Sequence, residues 1–130
     1  MSKDLSYRVW DDEKKEYSDK PFSLDQYGLL YVQDEDGYWE ETGDRYIIEF
    51  PTGLKDKNGK EIYEGDIVII GKEYALILYD NSKASFMGCF YVDYKGMTVK
   101  QNDFIFDFCP NHIKVIGNIH ENPELVGGGE

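Results

Sequence analysis

The stretch from Phe50 to Ile70, "FPTGLKDKNGKEIYEGDIVII", is charged and glycine-punctuated in its first half and apolar in its second. The loop half invites a phosphate cradle or a calcium loop, and its spacing fits neither. A phosphate loop of the G-x-x-x-x-G-K-S/T kind runs into a helix whose N-terminus faces the anion. Here Gly53 and Gly59 are one residue too far apart, and the run beyond Lys60 reads as a strand. A calcium loop needs oxygen ligands around a glycine at its sixth position and a bidentate acid at its twelfth. With Gly59 sixth, Leu54 comes first and Gly65 last; with Gly37 sixth, Val32 comes first and Gly43 last. Both registers lack the closing acid. Asn58-Gly59 is therefore read as a turn, of the type I′ kind whose two central residues take positive φ.

The apolar half sets the fold. In "GDIVII" Ile67 and Ile69 oppose Val68 and Ile70, and in the nearby "YALILYD" Tyr74, Leu76 and Leu78 oppose Ala75 and Ile77. A strand that is apolar on both sides has to be covered on both sides. A small barrel over residues 51–120 would account for one of these faces. The other is expected to meet the N-terminal strands or a partner subunit.

Outward from this stretch, periodicity predicts strands nearly everywhere. "SYRVWD" alternates, and "LLYVQDEDGYWEE" reads as two runs joined by a hairpin turn at Asp36-Gly37. "RYIIEF" and "CFYVDY" also alternate. "DFIFDF" stacks Phe104, Phe106 and Phe108 on one side, as a strand or a short helix capped by Asn102. "HIKVIGNI" places Ile113, Val115, Gly117 and Ile119 on one face of a closing strand, and Pro123 with "GGGE" marks a frayed tail.

A chain of 130 residues can bury roughly two-thirds of its unfolded surface without a disulfide or metal staple. Its 11 tyrosines and 7 phenylalanines lean the composition toward strands. The net charge is −12, and residues 1–50 carry 14 acids against 6 bases. Only two arginines occur, Arg8 and Arg45, so the basic face that nucleic acid or an anionic membrane requires is not expected. No run reaches the roughly 18 to 20 apolar residues that span a bilayer, and the opening residues show no secretory pattern. Cys89 and Cys109 fit a reducing compartment. A cytoplasmic location is expected.

Chemistry is thinly signalled. "CPNH", Cys109 to His112, with Cys89 and His120 more distant, lacks the paired ligand couples of a structural zinc site. There is no nucleophile elbow, and His112 and His120 are the available histidine bases. Carboxylates are many, and no pair among them is singled out. No catalytic residue, metal ligand or cofactor is therefore assigned. The aromatics Trp10, Tyr38 and Trp39 stand beside acids and turns; they read either as half-buried packing of the lobe or as interface anchors, and in the second reading they form the candidate interface.

"TGLKDKNGKEIYEGDIV", the early "YRVWD" and the late "VIGNIHENPEL" together resemble the YopX family of phage and prophage proteins. The resemblance spans about Tyr7 to Leu125 and is weakest between Gly71 and Asn111. It implies an all-β fold with an SH3-like barrel in the C-terminal part and a phage or prophage origin. It carries over no activity and no functional residue. In that setting Leu54 and Ile62 point into the core, and Asp66 accepts bonds from loop amides.

These readings combine into an all-β protein of the host bacterial cytoplasm. An acidic N-terminal β lobe, residues 1–50, is expected to pack on an SH3-like barrel, residues 51–125, ahead of a disordered tail, residues 126–130. Its expected role is non-catalytic: binding itself as a homo-oligomer, or binding a host protein. Two alternatives stay open, an acidic mimic of nucleic acid that blocks a basic host protein, and a small-ligand binder or enzyme using carboxylates.

Overall fold

The computed structural model describes residues 7–94 and 97–126. The described residues form thirteen strands, linked by turns and by helical segments no longer than four residues. The fold is all-β. The chain divides between Phe50 and Pro51 into two compact units.

The first unit holds two three-stranded sheets. Strands β1 (Arg8–Asp11), β2 (Glu16–Tyr17) and β6 (Tyr46–Glu49) form one, in the order β2-β1-β6. Strands β3 (Phe22–Leu24), β4 (Leu30–Gln33) and β5 (Trp39–Glu41) form the other, in chain order. Alternation sends Val9, Leu30 and Tyr46 into a common core, with Phe22, Leu24, Val32 and Ile48 packed against them. Both arginines of the chain are consumed here. Arg8 pairs with Glu49 at 2.7 Å, and Arg45 grips Asp11 with two hydrogen bonds of 2.9 Å.

In the second unit β7 (Pro51–Lys55) and β8 (Glu61–Tyr63) form a hairpin. Strands β9 (Asp66–Ile70), β10 (Glu73–Asp80), β11 (Ser85–Tyr94), β12 (Met97–Phe104) and β13 (Ile113–Asn118) make one antiparallel sheet, ordered β12-β11-β10-β9-β13. Among the described residues β12 and β13 do not pair, so this sheet stays open. The closed SH3-like barrel expected for residues 51–125 is not formed by these strands.

The central part of the two-faced strands is covered on both sides by their own unit, while Tyr74 and Leu78 of the second face stay exposed. On one face Val68, Ala75, Ile77, Phe90 and Ile113 meet Ile62 of the hairpin and Ile105, and Leu54 packs beside them. On the other face Ile67, Leu76 and Cys89 meet Val126, with Ile116, Ile119 and Leu125 alongside. Each such large apolar side chain contributes about 1.5–3 kcal/mol on full burial. The second face therefore needs neither the N-terminal strands nor a partner subunit where the segment from Ile119 to Val126 lies over it. Val126 is only 1% exposed, which corrects the expectation of a disordered tail from residue 126; residues 127–130 lie outside the described residues.

Two local features redirect the closing segment. A bulge between Val115 and Gly117 shifts the register of β13 against β9. Ile113 and Val115 thus serve the first core while Ile116 and Ile119 serve the second, where uninterrupted alternation would have kept Ile119 with Ile113. The Asn118 side-chain oxygen then accepts the amides of His120 and Glu121, turning the chain back over the sheet. A Cβ on Gly117 would lie 2.3 Å from Asn122 Oδ1, so any larger residue there would displace the Asn122 side chain that accepts the Asn118 amide. The "DFIFDF" run also differs from expectation. β12 ends at Phe104, a single helical turn covers Ile105–Asp107, and Ile105 enters the core while Phe104 and Phe106 stay exposed.

Three hairpin turns share one design. In Asp25–Leu29, Asp34–Tyr38 and Asp56–Lys60, the aspartate carboxylate accepts the amides two and four residues on. The glycine three residues on donates to the aspartate carbonyl, with φ of 85°, 92° and 81°. Asn58 does not share the positive φ of Gly59, so the turn is not type I′. It is a type I turn followed by a left-handed glycine, the three-residue hairpin connection with a G1 bulge. The last of the three is also pinned to the sheet. Lys57 N–H donates to Ile113 O at 2.8 Å, and Val115 N–H donates to Asp56 Oδ2 at 2.9 Å. These two bonds occupy part of the outer edge of β13, which would otherwise be open to pairing with another strand.

Candidate functional site

The repeated turn places aromatic side chains at both ends of the β3–β4–β5 sheet. Tyr27 precedes the glycine of one turn and Tyr38 follows the glycine of the other; they are 80% and 73% exposed. Between them the register aligns Ser23, Tyr31 and Glu41 across one face, with Gln33 opposite Trp39 alongside. The other face carries Phe22, Leu24, Leu30 and Val32 into the core. An inward apolar face therefore fixes an outward face bearing Tyr31 and Trp39, the latter 48% exposed.

The segment that builds this sheet carries charge of one sign. Residues 21–42 contain six acids, Asp25, Asp34, Glu35, Asp36, Glu40 and Glu41, and no lysine, arginine or histidine. The Tyr31 hydroxyl donates to Asp25 Oδ2 at 3.4 Å. Partial burial, followed by the charges of Asp25 and Glu41, pushes its phenol above the ordinary tyrosine value. Strand β5 is exposed along its whole length and stands at the sheet edge. A cationic side chain laid against Trp39 or Tyr31 would meet an aromatic face and carboxylates together.

Of the three aromatics singled out from sequence, Trp39 lies on this outward face, Tyr38 is exposed beside the turn at its end, and Trp10 is on neither. Trp10 is 1% exposed. It packs edge-on against Tyr17 with ring centroids 5.0 Å apart, and its indole N–H donates to Asp12 Oδ1 at 3.2 Å. It is a core residue, which corrects its place in the candidate interface. Tyr27 and Tyr31 were missed, although the Asp-x-x-Gly pattern around Tyr27 matches the one preceding Tyr38.

The other candidates fall apart in space. Cys89 is buried and Cys109 exposed. Among the described residues no three histidines, cysteines or acids gather as metal ligands would. Glu73 and Asp103 share the wall of an open cleft of about 140 Å³, below the roughly 300 Å³ at which ligand pockets begin. His112 lines a different cleft, with Lys57 and Lys114. Among the described residues no helix is long and apolar enough to cross a membrane.

The model of the YopX protein family matches residues 6–127. The chain belongs to the YopX family. A solved relative agrees with this YopX-family fold: the crystal structure of protein EF1440 from Enterococcus faecalis is 29% identical. The match covers 96% of this chain and 99% of that one, with a TM-score of 0.53. Among curated proteins no match to this YopX-family chain is found.

Proposed function

We propose that this YopX-family protein, of phage or prophage origin, is a non-catalytic binding module that docks on another protein through the outer face of the β3–β4–β5 sheet. The observation behind this reading is the exposure of Tyr27, Tyr38 and Trp39 on a unit whose core is already filled by other side chains. Large aromatics held on short turns lose little freedom on binding, and they dominate the energetics of protein interfaces. The cover over Ile67, Leu76 and Cys89 removes part of the motive for self-association, leaving Tyr74 and Leu78 exposed on that face. The uniform negative charge of residues 21–42 also disfavours docking this face on its own copy. A host protein with a cationic surface is the partner this reading favours.

The test compares wild type with the paired variant Tyr38→Ser, Trp39→Ser as immobilised bait in host lysate, with light scattering of each protein alone. A partner held by wild type and lost by the folded variant is the expected result. A partner retained equally by both, or a wild-type oligomer that the variant preserves, would overturn the assignment of this face. A second reading, mimicry of nucleic acid, draws on the same six acids. It predicts that duplex DNA displaces the captured partner in competition.

A further inference from the structure

The second unit carries a gathering of cationic groups that run against the character of this acidic chain. Lys57, Ile69, Gly71, Asn111, His112 and Lys114 line an open cleft of about 310 Å³ with no carboxylate in its wall. Hydrogen bonds and strand pairing place this neighbourhood. The bond from Lys57 N–H to Ile113 O holds the turn against β13, beside Lys114. Lys114 is the register partner of Ile69, whose side chain supplies the apolar part of the wall. His112 ends the single helical turn Pro110–His112, its backbone N–H donating a hydrogen bond to Cys109 O.

The neighbouring acid is already committed. Asp56 directs Oδ1 to the amides of Asn58 and Lys60 and Oδ2 to that of Val115, and it is buried. Among the described residues Lys57 and Lys114 make no ion pair, whereas Arg8 and Arg45 both do. Two lysines, a histidine and an asparagine thus line a common cleft, and the side chains of these residue types are hydrogen-bond donors.

We propose that this cleft binds a small oxyanion of the phosphate-monoester class. Two lysines match the charge of a phosphate dianion as point donors, and Asn111 and His112 add directed donors. The volume lies at the lower limit of ligand pockets, enough for the phosphate and a few attached atoms. The absence of an aromatic among the lining residues gives a base or sugar ring no stacking platform. This site is independent of the β3–β4–β5 surface, so either assignment can fail alone.

Titration of the full chain with inorganic phosphate, phosphoserine and serine, followed by amide chemical shifts at ionic strength fixed with chloride, tests it. Saturable shifts at residues 57, 69–71 and 111–114 are expected for phosphate and phosphoserine, with serine silent. Phosphoserine binding more tightly than phosphate would identify a ligand with an attached body; equal binding would identify the free ion. The paired variant Lys57→Ser, Lys114→Ser is expected to melt like wild type and to lose affinity about tenfold or more. Shifts that grow linearly, that chloride reproduces, or that the paired variant retains would overturn the proposal. Should that variant fail to fold, His112→Ala replaces it: severalfold weaker binding is expected, and unchanged affinity counts against the site.

Discussion

Asp56 and Val115, 59 residues apart, are joined by a 2.9 Å hydrogen bond from the strand amide to the turn carboxylate. The same carboxylate accepts two amides of its own turn. Asp56→Ala should cost about 2–4 kcal/mol in urea unfolding, because it strands a partly buried Val115 N–H as well as opening the turn. Asp34→Ala, in a turn of the same design that lies exposed, should cost about 1 kcal/mol or less. Equal costs would mean that the bond to β13 contributes nothing. Gly59→Ala, at φ 81°, should cost about 1–2 kcal/mol for conformational strain alone.

Two carboxylates tie stability to acid pH. Arg45, through its paired hydrogen bonds, holds Asp11 far below the ordinary carboxylate range against the opposing effect of burial, with help from the amides of Lys14 and Glu13. At Asp56 burial is the largest single influence and favours the neutral acid. The amides of Val115, Lys60 and Asn58 together outweigh it and lower the value. In the unfolded chain both groups take up protons near pH 4, and in the folded chain they do so only at lower pH. Their contribution is thus complete at neutral pH and is lost as pH falls from about 5 downward. Urea midpoints measured against pH should fall over that window. Asp11→Asn should be less stable at pH 7 and show a shallower decline; an unchanged slope would refute the linkage.

Ala84, in the turn between β10 and β11, has φ 49°, a conformation that costs a residue with a side chain about 1–2 kcal/mol. Ala84→Gly should stabilise the protein by about 0.5–1 kcal/mol after the added freedom of the unfolded glycine is subtracted. A melting temperature raised by a few degrees is the expected reading. Lys15, at φ 59°, should gain less from the same change, since its side chain pairs with Asp12 at 2.9 Å.

The two tryptophans should separate stability from binding. Trp10→Ala should cost about 3–5 kcal/mol, as for a buried large side chain, and Trp39→Ala less than about 1 kcal/mol. Circular dichroism melts of the two variants decide the matter. A Trp39→Ala protein as unstable as Trp10→Ala would place Trp39 in a core.

These tryptophans also mark how far the sequence could be read. "WDD" at Trp10 and "WEE" at Trp39 are the same local pattern, each a tryptophan in a short strand followed by two acids. Their fates differ because β1 is the central strand of its sheet and β5 an edge strand, and that depends on partners distant in the chain. Period-two alternation correctly indicated strands at "RVW" and "YIIE", the unbroken apolar run indicated one at "DIVII", and the roles of Leu54, Ile62 and Asp66 were legible, Asp66 Oδ2 accepting the amide of Tyr63 at 2.8 Å. The double cover of β9 and β10 was legible as a requirement. Its source was not, because "IHENPELV" looks too polar to be a lid, and the bulge after Val115 that directs it leaves no signature in periodicity. The Asn-Gly pair named a turn correctly and its type wrongly. Its geometry is set by the aspartate two residues before Asn58.

Val126 packs with Leu125 over Cys89, so disturbing it should open that side of the sheet. In a Cys109→Ser background, Val126→Asp should cost about 3 kcal/mol or more and should accelerate modification of Cys89 by a thiol reagent. A Cys89 reaction rate unchanged by Val126→Asp would mean that the segment does not guard this face.

The order of cover along the chain has a consequence during synthesis. The hairpin that shields one face of the five-stranded sheet precedes it, and the segment from Ile119 to Val126 that shields the other comes after it. A ribosome therefore delivers β9, β10 and β11 with one side already provided for and the other bare. Until Ile119, Leu125 and Val126 emerge, Ile67, Leu76 and Cys89 form a sticky nascent surface, and this is the interval in which chaperones or neighbouring chains on a polysome would meet it.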